Sequence, residues 1–237
     1  MTDETFTQPI ILVASSLALS LLPIILMSMT SYLKFSIVFT ALRSAVGGGN
    51  IPPISVVGLL SLALSVFVMA PVFSDSWQRF ESYLPLPKNI AAEFFIRVGA
   101  DVLSPLVEFT RRNTGDEERK FFVELARENS RQYQSVSASG PNKDKSETAF
   151  IGNTTQSVRI VIPAFILTEL KEAFILSLGL LMPFLAVDII VSNILVAVGV
   201  VMLSPSVVSL PLKILLFVAV DGWSLLSQSL VLGYVQG

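Results

Sequence analysis

Six ionisable residues stand in an otherwise apolar C-terminal stretch: Glu169, Lys171, Glu172, Asp188, Lys213 and Asp221. A charge held in an apolar layer costs about 2.5–3.5 kcal/mol on insertion scales, so each of these groups needs a partner or water. Glu169 and Glu172 share one helical face at i,i+3 spacing, while Lys171 points elsewhere. That arrangement suits a charged turn at an interface, a buried pair between helices or subunits, or a proton-relay or ion site. Lys213 is the only cation among the 66 residues after Lys171. The expected pair is therefore Lys213 with Glu169 of a neighbouring helix or another subunit.

Other chemistries are narrowed by what the chain contains. It has no histidine and no cysteine, which removes Ser-His and Cys-His nucleophile pairs, the commonest metal ligands and any disulfide framework. Asp188 in LAVDIIV and Asp221 in VAVDGWS raise the thought of an intramembrane aspartyl protease, where two carboxylates share a proton. Neither flank supplies an active-site motif. Gly47-Gly48-Gly49 lacks the following Lys-Ser/Thr and the preceding strand of a phosphate loop, and reads as a turn. Net charge is −2, with no basic stripe to engage nucleic acid. No cofactor and no enzymatic activity are expected. Val200, Val201 and Met202 end an apolar run before Ser204-Pro205; such side chains form a deformable ring where several subunits converge, and otherwise pack an ordinary core.

The elements that position these residues follow from how charge is distributed. Of 34 charged residues, 24 fall between Asp75 and Arg159, leaving ten for the other 152 residues. Two apolar blocks thus flank a polar insert, giving three parts: an apolar helical hairpin over residues 1–73, a polar helical insert over 74–157 and apolar hairpins over 158–237. In the first block, segments from about Ile10 to Leu33 and from about Ile54 to Phe73 each reach the roughly 20 residues of a spanning helix. Lys34 and Arg43 are the only cations of the stretch that carries the first helix onward to Val46. Pro23 invites a kink, and the glycine triplet with Pro52-Pro53 makes the turn. An acidic start at Asp3 and Glu4 does not resemble a signal peptide, so this segment is expected to be part of the mature protein.

Within the insert, Phe94, Phe95, Val98, Val102, Leu106 and Phe109 recur at helical spacing. Thr114 with Glu117 reads as a capping box opening the next helix. Residues 135–157 have the composition of a flexible linker. In the last block, breaks at Pro163, Pro183, Gly199, Pro205 and Pro211 divide the chain into helices Phe165–Met182 and Phe184–Leu203, a turn, and a last helix from Leu212. The fold class is all-α, and with so few polar positions the helices cannot all be hidden within one chain. An obligate oligomer is expected.

Several segments carry a closer likeness. IPAFILTELKEAF (162–174), MPFLAVDIIVSNIL (182–195) and SPSVVSLPLKILLFVAVDGWSLL (204–226) resemble the FliP/YscR (SctR) family of flagellar and virulence type III secretion proteins. So do MTSYLKFSIVFTALRSAVG (29–47) with Arg43, the Pro52-Pro53 pair, VMAPVF (68–73) and SPLVEFTRRNTGDEE (104–118). The resemblance implies a non-enzymatic subunit of the export apparatus in the bacterial inner membrane. Its helical hairpins assemble, generally as five copies, into a cone on the periplasmic side around an export channel. It implies as partners the FliQ/SctS and FliR/SctT types, then the FlhB/SctU and FlhA/SctV types, with unfolded proteins as substrates. Flagellar members carry a Met-rich gasket before the proline turn; the matching positions here are Val200, Val201 and Met202, stiffer at Val through β-branching. The chain also departs in its acidic N-terminus, where flagellar members carry a longer cleaved signal. The runner-up is a small-solute secondary transporter using Glu169, Glu172 and Asp188, against which stands the missing inverted repeat.

Overall fold

The computed structural model describes residues 27–47, 52–84, 92–137, 147–200 and 202–235, together with Ser16, Ser20 and Ile24. Most of the first apolar segment with Pro23, part of the glycine turn, part of the 135–157 linker and Val201 lie outside them. The described residues are all-helical. Seven helices can be followed: α1 (Tyr32–Val46), α2 (Ile54–Glu81), α3 (Ala92–Arg112), α4 (Asp116–Ser137), α5 (Glu147–Ala197), α6 (Pro205–Ala219) and α7 (Gly222–Val235).

Helix α1 is the axis around which the apolar helices gather. Phe35, Val38, Phe39 and Leu42 are spaced to fall on one helical stripe, and all four are almost wholly buried. They meet Ala173 and Phe184 of α5, Phe217 of α6, Leu230 of α7 and Val57 of α2. The helix stops at Gly47, whose φ of 79° lies in the left-handed region that glycine enters without penalty. Arg43 then closes the turn, its Nε donating to the Pro52 carbonyl at 2.8 Å. Helix α2 begins after Pro53, whose carbonyl accepts from Val56 and Val57.

Only Val57, Ser61, Ser65 and Met69 of α2 are buried, one residue in every four. The stripe is narrow because small serines let α1 come close; Ser31 Oγ donates to Ser65 Oγ at 3.2 Å. Leu59, Leu62, Val66 and Phe67 project outward. The helix runs on past Phe73 to Glu81, since the polar residues there still satisfy their backbone within it. A second, smaller core of Met29, Met69 and Leu106, with Phe109 and Ile162 against it, ties α2, α3 and α5 together at the insert end.

Residues 147–157, expected in the linker, already belong to α5, Pro211 sits inside α6 without breaking it, and two further expectations are corrected. The first concerns Pro163 and Pro183, which do not divide the last block: α5 continues through both for 51 residues, about 77 Å at 1.5 Å per residue. Each proline deletes a single backbone donor. In apolar surroundings a helix is the conformation that satisfies the remaining backbone groups, so the ladder resumes on either side. The break comes instead at Gly199, with φ of 80°. From there Pro205 opens α6 at its first turn, earlier than Leu212, and α7 follows after a 58° bend. Asp221 makes that bend with a left-handed φ of 49°, and its carbonyl accepts from Leu225 to start α7. Gly222 is required beside it, because a Cβ there would enter the Phe217 ring.

The second correction is the Thr114 cap. Thr114 turns its hydroxyl back to the Thr110 carbonyl at 2.5 Å, finishing α3. The residue that starts α4 is Gly115, whose carbonyl accepts from Arg119 at 3.0 Å. By length and composition, α2 and the Arg159–Ala197 part of α5 can each cross a membrane, and the bent α6–α7 pair can supply a third span.

Candidate functional site

Two buried ionic clusters grip the ends of α1. At the first, Lys34 is nearly solvent-free yet sits among apolar neighbours. Its Nζ donates to Glu172 Oε2 at 2.7 Å and lies 3.3 Å from Glu169 Oε1. Glu169 is fully buried and accepts from the Tyr234 hydroxyl of α7. The ammonium lies 4.2 Å from the centre of the Tyr234 ring, close enough for cation–π attraction in a desolvated place. That ring meets Phe35 edge-on at 5.7 Å and stacks with Phe109 at 5.8 Å. Tyr234 therefore joins α7 to α1, α3 and α5 at one point.

At the other end, Lys213 of α6 places Nζ 2.6 Å from Asp188 Oδ2 and donates to the Ala45 carbonyl at 3.1 Å. The last carbonyls of α1 lack partners within the helix and carry its negative dipole end, so a lysine is suited to them. Ser209 Oγ donates to Asp188 Oδ1 at 2.5 Å. One carboxylate thus fastens α5 to α6, and one ammonium fastens both to α1.

The TELKE run (168–172) faces two ways. Glu169 and Glu172 reach Lys34, whereas Lys171 turns to the insert, 2.9 Å from Glu118 and 3.5 Å from Glu117. The Lys171 hydrogen bond holds the Glu118 carboxyl below its usual range. Thr168 donates to the Ala164 carbonyl and accepts from the Gly115 N–H at 3.0 Å. A Cβ at Gly115 would run into Glu118 and Thr168, so the tight approach of the α3–α4 turn depends on glycine there.

Within one chain, then, Glu169 and Lys213 are not brought together; each has another partner. Arg43 closes the α1–α2 turn and Asp221 forms the exposed α6–α7 bend. Met202 is 97% exposed at the tip between α5 and α6, beside the half-buried Val200; Val201 lies outside the described residues. Lys34, Tyr234 and Ser209 were not singled out by sequence. The signal available for Lys34 was its place in an apolar stretch, and for Tyr234 only an aromatic near the chain end. Among the described residues, no group of three or more Asp or Glu side chains is placed to hold a metal ion.

The chain matches the model of the FliP family over residues 16–230. It is 34% identical over 232 residues to the probable translocation protein y4yL of Sinorhizobium fredii, covering 97% of each chain. To the Yop proteins translocation protein R of Yersinia pestis it is 36% identical over 218 residues, 91% of this chain and 92% of that one. To the flagellar biosynthetic protein FliP of Buchnera aphidicola it is 36% identical over 214 residues, 90% of this chain and 53% of that longer relative.

Proposed function

This chain belongs to the FliP family, and from that premise we propose that it is a core channel-forming subunit of a type III protein secretion export apparatus, conducting unfolded proteins across the bacterial inner membrane. Its role is structural and not enzymatic. The observation that carries the reading is the outward apolar face of α2, α5 and α6. Leu59 and Phe67 on α2, Phe174 and Ile189 on α5, and Leu215 and Val218 on α6 are all exposed. Contiguous apolar surface on this scale marks contact with membrane or with other chains.

A ring of copies, five by the family resemblance, covers these faces. It is joined by subunits of the FliQ/SctS and FliR/SctT types and meets the FlhB/SctU and FlhA/SctV types. The cone stands on the periplasmic side. The boundaries of the parts follow the charge distribution, with residues 1–73 and 158–237 in the apolar assembly and 74–157 in the polar insert. Val200, Val201 and Met202 form the gate, since a ring of apolar side chains closes a pore by expelling water. The exposure of Met202 supports that placement. An inter-subunit contact of Glu169 with Lys213 would require both buried side chains to leave their intrachain partners.

The test is the particle formed on purification in mild detergent. A ring of several copies with partner subunits is expected; a solitary chain competent in secretion overturns the reading. Replacing Val201 or Met202 by Gly should leak small ions through assembled complexes, and unchanged permeability moves the gate elsewhere. The solute-transporter alternative is not favoured. Its three carboxylates are divided, Glu169 and Glu172 on Lys34 and Asp188 on Lys213, and so do not converge on one ion.

A further inference from the structure

Two adjoining cavities run between α5, α6 and α7 and share Ile175, Leu176, Ser229 and Leu230 as walls. The larger, of about 440 Å³, carries one polar side chain, Ser229. The smaller, of about 290 Å³, ends on Lys34 and Glu172, which are already paired. The groove they form reaches down to backbone at Gly179 and Gly233, where an added Cβ would meet nothing within 4 Å. Residue types place an acceptor on that floor. Pro183, four residues after Gly179, has no N–H, so the Gly179 carbonyl lacks its helical donor. Both residues line the larger cavity.

A ridge on the same chain matches this groove in size, height and chemistry. Helix α2 buries Val57, Ser61 and Ser65, which leaves Ser55, Leu59, Leu62 and Val66 on one exposed stripe at i, i+4, i+7 and i+11. A helix about 10 Å across, rising 5.4 Å per turn, fills roughly 420 Å³ per turn. The two cavities together thus have room for the projecting face of about two turns, the span from Ser55 to Leu62. Along α1, helix α2 runs from the Arg43–Pro52 contact to the Ser31–Ser65 contact. The groove covers the same length, from Lys34 to the Gly222 corner, where Trp223 meets Phe39. Rotation about an axis running along α1 leaves heights unchanged, so the next copy in a ring presents Ser55, Leu59 and Leu62 level with the cavities. Ridge and groove are different surfaces of one chain, and such a contact generates a ring where the rotation closes.

We propose that the groove between α5 and α7 seats α2 of the next copy, with Leu59 and Leu62 filling the cavities and Ser55 Oγ donating to the Gly179 carbonyl. This seating rests on the ring of copies proposed above and names the two surfaces that close it. The single hydroxyl on an otherwise aliphatic stripe sets the register, because an acceptor left without a donor in apolar surroundings is costly. An acyl chain in the same place would offer that carbonyl no donor.

Because the chain has no cysteine, single introduced thiols report the contact. Two differently tagged full chains, one with Ser55→Cys and the other with Ser229→Cys, are co-expressed with the partner subunits. The particle is purified in mild detergent and treated with a short bifunctional thiol reagent. Only a contact between copies joins the two tags, so a link within one chain does not register. The doubly tagged product is expected at five times or more the yield of a control pair, Phe67→Cys with Ser229→Cys, since Phe67 lies off the stripe. Gly179→Leu, which fills the larger cavity from a position with open space before it, should lower the product at least fivefold. A yield no greater than the control, or undiminished product in Gly179→Leu, overturns the seating. Capture of the Ser229→Cys thiol by a different subunit overturns it as well. Particles that hold several copies without the doubly tagged product overturn the seating alone, whereas absence of any such particle overturns the reading of function with it.

Discussion

Lys34 and Lys213 in the apolar block keep 7% and 6% of their side-chain surface in contact with solvent, whereas Arg111 and Arg112 on α3 keep 54% and 73%. All four meet carboxylates within 3.0 Å. In the insert, the Glu108 fork to Arg111 and Arg112 is local, within one helical turn, and solvent competes for every charge in it. In the apolar block, each pair joins different helices, and each lysine has almost no water to fall back on even though its carboxylate partner Glu172 or Asp188 keeps some. Similar geometry therefore has opposite consequences: the exposed pairs decorate a helix, and the buried pairs determine which helices can sit together.

The largest expected effect is at Lys34. Lys34→Met strands the fully buried Glu169, and removing one member of a buried pair costs about 3–5 kcal/mol. It should appear as loss of most folded chain in equilibrium unfolding in mixed micelles. Adding Glu169→Leu should recover most of that loss, since removing both members of a buried pair is often nearly neutral. A Lys34→Met chain as stable as the original would mean that this end of α1 is wetter than its burial indicates.

Lys213→Met should cost less, about 1.5–3 kcal/mol as for a hydrogen bond to a charged group, because Asp188 is partly open to solvent. The intrachain partners predict that pairing Lys213→Asp with Asp188→Lys restores assembly, while pairing Lys213→Glu with Glu169→Lys does not. Restoration by the second swap would establish a contact between Glu169 and Lys213 of different chains.

The third effect is smaller still. Arg111 and Arg112 hold the Glu108 carboxyl down to about 2, mainly through the Arg111 hydrogen bond. A carboxyl whose folded value is depressed adds stability above its ordinary value of 4.5, and that stability is lost as pH falls from there toward 2. Solvent screening keeps the whole contribution below about 1 kcal/mol. An acid titration of unfolding should show a shallow decline in that window, absent in Glu108→Gln. A steep one would mean that the pair is shielded from solvent.

The contrast also explains what could be read from the sequence. Breaks made by local backbone chemistry, Gly47 and Gly199 at left-handed φ and Pro205 at a first turn, are written in the residue type. The prolines of α5 misled because a missing donor is local, whereas the decision to continue the helix belongs to its surroundings. Charges without visible partners could be recognised in Glu169 and Lys213. Asp188, the carboxylate on Lys213, was among the charges visible in sequence, but the contacts to α1 were not: Lys34 and Glu172 are 138 residues apart, and Lys213 and Ala45 are 168 apart. Counting cations downstream of Lys171 overlooks Lys34 because helix packing, and not chain order, sets which charges meet. Tyr234 was invisible for the same reason, since its value lies in joining its own helix to three others.

The smallest expected effect tests the same contrast with no charge involved. Ser177 on α5 is buried, and its Oγ finds no hydrogen-bond partner among the described residues. A hydroxyl desolvated without a partner costs about 1–3 kcal/mol, so Ser177→Ala removes a penalty and leaves only a space the size of one oxygen. The lost contacts of that small void offset part of the gain. The net expectation is a stability unchanged or raised by about 1 kcal/mol, read in the same micellar unfolding assay. A loss of stability instead would mean that the hydroxyl is satisfied inside the fold, by a water held beside α5 or by a backbone carbonyl of its own helix.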